Sequence, residues 1–271
     1  SLADTTRDEG LLRAHAIRTT VNQAALLGTG FIGLVLYRYG DAQAVMVGVC
    51  VLYAAALAIL SVVPELGRAA DPDMLVRDQV TEGMTSLLRN RLLRRIGWVT
   101  LTWSMFGGAA VGMMPAVLRD HIGLDELQAS GTFVAGAVAV VLLTLPIVRA
   151  SQRRLGAIST FVAASAVQGA TIVLFADVRA ALIAPLLYCV FLLANSAAAA
   201  SLGGARAAEV AHDHQGMLNL VVGTLGLAGF LVGVLLVAAL LGPLGFGVVL
   251  ALVGVGMTAT ALAFRRSLVA A

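Results

Sequence analysis

The chain has 271 residues, 59% of them hydrophobic and 12% charged, with a formal net charge of +3. Soluble domains run about 45–50% apolar, so this composition and a mean hydropathy of +0.93 exclude an ordinary soluble domain and point to an integral membrane protein. The pI near 9.3 does not read as nucleic-acid binding, because all 18 cationic residues are arginine and they sit between apolar runs, with no continuous patch.

The start, SLADTTRDEG, is polar. It has neither an initiator Met nor a basic-then-apolar signal pattern, and reads as the continuation of a longer chain. Apolar runs follow at about 21–36 and 42–63, separated by Tyr37 and Tyr39, an aromatic pair suited to a membrane interface. The segment 64–95 is the one long polar stretch and carries Arg68, Arg77, Arg89, Arg91, Arg94 and Arg95. Within it Val80, Met84, Leu87, Leu88 and Leu92 recur at three- and four-residue steps. This predicts an amphipathic helix in the interface, capped by Thr81, with its apolar face in lipid. Six further runs follow at about 96–118, 127–148, 155–176, 180–202, 217–241 and 246–264. Each is near the ~20 residues a helix needs to cross ~30 Å of hydrocarbon, and none alternates as a membrane β-strand would.

The expected fold is therefore an all-α membrane protein of about eight transmembrane helices. Alternate loops hold Arg7, Arg13 and Arg18, then the central cluster, then Arg149, Arg153 and Arg154, then Arg206, then Arg265 and Arg266; the intervening loops hold Arg38, Arg119, Arg179 and none. The positive-inside rule makes the first set cytoplasmic. This predicts a multi-pass protein of the cytoplasmic membrane with both termini inside. Cys50 and Cys189 fall within apolar runs and read as lipid- or helix-facing thiols.

The first and last pairs of runs resemble each other. His15 precedes Asn22 by seven residues, with Gly28, Gly30 and Gly33 after it. His212 precedes Asn219 by seven, with Gly223, Gly226, Gly229 and Gly233 after it. A six-helix repeat would place the last two helices of one unit in 1–63, a central loop in 64–95 and a whole second unit in 96–271.

Three stretches, LLRAHAIRTTVNQAALLGTGFIGLVL, EGMTSLLRNRLLRR and LPIVRASQRRLG, resemble the major facilitator superfamily, in particular its bacterial exporters of drugs and siderophores. The resemblance covers the chain from Leu11 and implies helices 5–12 of a twelve-helix fold. The chain departs from that family's pattern at Gly28-Thr29 and Ile32, where a Gly-Pro pair and paired glycines are usual, and at Thr144 and Val148, where Gly and Asp are usual. The resemblance implies a secondary transporter that exports small amphipathic molecules, such as drugs, siderophores or metabolites, by alternating access coupled to protons. It also implies that helices 5, 7, 8, 10 and 11 face a central cavity while 6, 9 and 12 face lipid.

On that basis the candidate cavity residues are Asn22, Gln23, Trp103, Ser104, Met113, Met114, Asn195 and Asn219. Trp103 reads equally as lipid-facing, Met113 and Met114 as packing, and Asn195 as an interhelical hydrogen bond. Gly28, Gly30 and Gly33 read as close-packing residues that affect gating. Arg149, Arg153 and Arg154 determine topology and can lock a gate against Glu209 or Asp213. No Asp or Glu lies well inside any run, so the coupling carboxylate is not among them. His212-Asp213-His214 is too sparse for a metal site; no metal, cofactor or nucleic acid is expected, and the partners are the bilayer, a small substrate and protons. No run carries the residue cluster of an enzyme. The competing reading is a non-transporting membrane protein, or a truncated relic, of the same fold.

Overall fold

The structure is a computed structural model that describes residues 87–178, 180–208 and 215–269, together with single positions between 43 and 58 and at 81, 84 and 85. Among the described residues no strand occurs and five helices are long and apolar enough to cross a membrane. The described part of the chain is thus all-helical, and the protein is a multi-pass membrane protein. The positions described between 43 and 58 are helical, within the run expected at 42–63.

Helix α1 spans Arg91–Ala116. It starts five residues before the apolar run because Asn90 takes extended backbone and its side chain accepts from the amides of Leu92 and Leu93. The described residues 81, 84, 85 and 87–89 are also helical. Their apolar face does not lie wholly outward. Leu87 is only 4% exposed and packs with Leu93, Leu218, Val221 and Val222, whereas Met84 and Leu88 stay exposed. The break at Asn90 folds this segment back onto the bundle. The end of α1 passes through Pro115 and widens into a π-helical turn, Val117–His121.

Helix α2, Glu126–Leu155, opens on a capping box between Asp125 and Gln128. It runs past the predicted end at Val148, so Thr144 and Val148 are helical and fully buried. Helix α3 is Ala157–Phe175 and helix α4 is Ile183–Ala208. Helix α5, Gln215–Val269, is divided at Gly245, whose φ of 73° and ψ of 168° are not helical. Its halves, 215–244 and 246–269, correspond to the last two predicted runs. A single residue, Gly156, makes the α2–α3 turn with φ 77° and ψ 166°. Both glycines occupy a region that L side chains rarely enter.

Packing is interleaved. Helix α1 lies along α5, α2 along α4, and α3 along both α4 and α5. The α1–α5 seam is close because a Cβ at Gly108 would strike the backbone of Phe230, and Cβ atoms at Gly229 and Gly233 would strike the carbonyls of Leu101 and Met105. Gly136 of α2 fits against Tyr188 and Leu192 of α4, and Gly169 of α3 against Gly254 and Thr258.

A shift of 89 residues relates the two halves of this bundle. It carries Gly156 onto Gly245, which have nearly identical dihedrals. It carries α2 onto 215–244, α3 onto the start of 246–269, and α1 onto most of α4. It turns the α1–α5 seam into the α2–α4 contact and maps the Gly169–Thr258 contact onto itself. Consecutive helices joined by short links alternate in direction, so a displacement of three helices inverts the chain: the bundle is two inverted three-helix units.

Candidate functional site

Most hydroxyls in these helices are satisfied locally. Thr132, Thr171, Thr258 and Thr260 each donate to the carbonyl four residues back. Thr144, Ser165 and Ser196 are different: all are fully buried, and their hydroxyl oxygens have no hydrogen-bond partner among the described residues. They lie on α2, α3 and α4.

Between α3 and α4 sits an amide pair. The Gln168 Nε2 group donates to Asn195 Oδ1 at 3.0 Å. Gln168 is fully buried and its Oε1 is unpartnered. With either orientation of the two amides, one of the polar atoms of Gln168 is left over, since the single contact serves only one of them. Ser165 is one turn away on the same face of α3. Farther along, the Gln152 Nε2 group donates to Ser201 Oγ at 3.0 Å across the α2–α4 contact. An unpaired buried hydroxyl or amide costs on the order of 1–3 kcal/mol, so each of these unpartnered groups is expensive.

The 89-residue relation shows how local that cost is. Gln168 and Asn195 correspond to Met257 and Phe106. The same crossing in the other unit is therefore apolar: a Cβ at Gly256 would meet the ring of Phe106, and Met257 is fully buried. The skeleton is repeated, but only one copy of the crossing is polar. All of its groups are neutral amides and hydroxyls, able to accept from or donate to a bound polar group, not to titrate.

The predicted residues distribute as follows. Asn195 is half-buried in the amide pair. Trp103 is buried in the core, edge-on to Phe161 at 6.0 Å, with Nε1 unpartnered. Met113 and Met114 are fully buried core residues. Ser104 is half-buried beside Gly226 at the α1–α5 seam, and Asn219 is half-buried near the start of α5. Arg149, Arg153 and Arg154 are exposed on the last turns of α2. Asn22, Gln23, Gly28, Gly30 and Gly33 lie outside the described residues, as do Glu209 and Asp213, so the expected arginine lock is not drawn.

Gln168, Ser165 and Thr144 were missed by the sequence reading. The signal for Gln168 is a lone amide midway along a 19-residue apolar helix; the resemblance, which assigns that helix to lipid, points away from it. Only one face of α3 is exposed, through Ala163, Val167, Ala170 and Leu174; Gln168 is on the other. His121 was also missed. Its Nε2 is 2.9 Å from the carbonyl of Ala176 and its ring packs on Phe246, joining α1, α3 and α5 at the end remote from the arginines of α2.

Among the described residues the carboxylates Asp120, Asp125, Glu126 and Asp177 are all at helix ends or in turns, and no group of three His, Cys, Asp or Glu converges as a metal site would. Comparison of the chain with protein-family models and with curated proteins finds no match.

Proposed function

We propose that the chain belongs to a secondary active transporter of the major facilitator type, in which residues 91–269 form one six-helix half. The observation that carries this reading is the pair of inverted three-helix units, the arrangement nested within each half of such transporters. In this reading residues 1–63 belong to the opposing half, and the polar segment that begins at 64 joins the two. The arginine-bearing end of α2 faces the cytoplasm, and the protein resides in the cytoplasmic membrane with both ends of the chain inside.

The transported compounds are small and amphipathic, and they move outward by alternating access coupled to protons. Support for that class comes from the interior chemistry: apolar packing broken by the Gln168–Asn195 amide pair and by buried hydroxyls on α2, α3 and α4. This can match a few hydrogen-bonding groups on an otherwise apolar body. The spans described carry no interior acid, so the proton-carrying carboxylate belongs to the opposing half.

The test is accumulation of an amphipathic dye, such as ethidium, in cells stripped of their own exporters and expressing the full product of the gene. The expected result is lower accumulation that a protonophore restores. Equal accumulation with and without the protein, at verified membrane expression, refutes the reading.

A further inference from the structure

Helices α2 and α3 touch little beyond their one-residue turn, and α4 lies beneath both. The result is an outward-facing groove of about 300 Å³, at the lower end of the range for small-molecule sites. It is lined by Ile147, Ser151 and Leu155 of α2, by Ala163 and Ala164 of α3, and by α4. From Leu155 to Ile147 the groove runs about 12 Å along the helix axis, which is most of one leaflet of a ~30 Å hydrocarbon core. It begins at the Gly156 turn.

One stripe of α2 sets its chemistry. Ile147, Ser151 and Arg154 follow at steps of four and three, so they share a face. That face is apolar in the interior and cationic at the turn, where Arg154 is exposed and Arg149 and Arg153 are close in sequence. The inverted unit has no equivalent. There Leu240, Leu252 and Val253 take the places of Ser151, Ala163 and Ala164, and Pro243 takes the place of Arg154. Small side chains and the cation occur together in one copy only.

We propose that this groove binds an anionic diacyl phospholipid, one acyl chain lying between α2 and α3 and the phosphate meeting Arg154. An apolar slot one leaflet long, opening at an arginine in the headgroup layer, matches both parts of that molecule. An amphipathic substrate or a second copy of the chain lacks this combined match of length and charge. The site does not depend on transport.

The test is native mass spectrometry of the full chain released from nanodiscs of equal phosphatidylglycerol and phosphatidylcholine. The unaltered protein is expected to retain one phosphatidylglycerol about fivefold over phosphatidylcholine, as the ~1 kcal/mol per arginine at an anionic surface predicts. Arg154→Gln, an exposed position where folding is unaffected, brings the ratio toward one; Arg154→Lys keeps it. Ala163→Phe fills the slot and removes retained lipid of both kinds, with helicity by circular dichroism confirming the fold. Equal retention of the two lipids by the unaltered protein, an unchanged ratio in Arg154→Gln, or a protein dimer in place of bound lipid overturns the proposal.

Discussion

Gln168 and Asn195 hold two primary amides together inside a bundle whose inverted counterpart uses Met257 and Phe106 for the same position. Hydrogen bonds of this kind in membrane helices average about 0.6 kcal/mol, while an orphaned buried amide costs about 1–3 kcal/mol. Asn195→Leu alone should therefore destabilise the protein by about 1–2 kcal/mol, and the double change Gln168→Met with Asn195→Leu should recover most of the loss. Reversible unfolding in mixed detergent micelles, followed by circular dichroism, measures this; a double variant less stable than the single one contradicts the argument. If the crossing serves transport, the double variant keeps its fold and changes which dyes are moved. Sequence alone identified Asn195 because it is an amide in a run expected to face the cavity. It did not identify Gln168, since the side of a helix that a residue takes is decided by neighbours distant in the chain.

At the scale of the helix, glycines divide into those that admit close approach and those that set a turn. Gly233 is pressed against the Met105 carbonyl, whereas a Cβ at Gly223 meets nothing within 4 Å. Gly233→Val should cost at least 1–3 kcal/mol by forcing α1 from α5. Gly223→Ala should be neutral or stabilise by up to about 1 kcal/mol through helix propensity. Gly156→Ala should cost about 1–3 kcal/mol despite open space around it, because its backbone region is closed to L side chains. Thermal midpoints of the three variants in one detergent rank them, and the ordering fails if Gly223→Ala proves the most damaging. Hydrophobic runs located the helices of 96–271 to within a few residues, because lipid imposes one length on each. Their ends were less legible: α1 and α2 extend beyond the apolar run on capping and amphipathic residues such as Asn90 and Gln152. The 89-residue relation was also unread. Few identities survive it, Thr171 with Thr260 and Phe175 with Phe264 among them, since a crossing can be kept with different side chains.

For the whole bundle, Gly245 determines whether the last helix is one span or two. Two spans place Leu182, which is 92% exposed before α4, and Arg266, after the final helix, on opposite sides of the membrane. With Cys50 and Cys189 replaced by alanine, Leu182→Cys should react with a membrane-impermeant maleimide in intact cells, and Arg266→Cys only after permeabilisation. Labelling of both from outside contradicts the topology. The interleaved packing also has a consequence for biosynthesis. Except for α3 and α4, neighbours in the chain are poor neighbours in space: α1 meets its close-packed partner only when 215–244 has been made, and α2 only when α4 has. Roughly a hundred residues separate α1 from that partner, or about 5–20 s of synthesis at 5–20 residues per second. Through that interval the glycine-lined face of α1 must be held by lipid or by the insertion machinery. Assembly of this bundle is therefore a late event, completed by its final two helices, and ribosome stalling before residue 215 should leave α1 to α3 inserted but still separable by mild detergent.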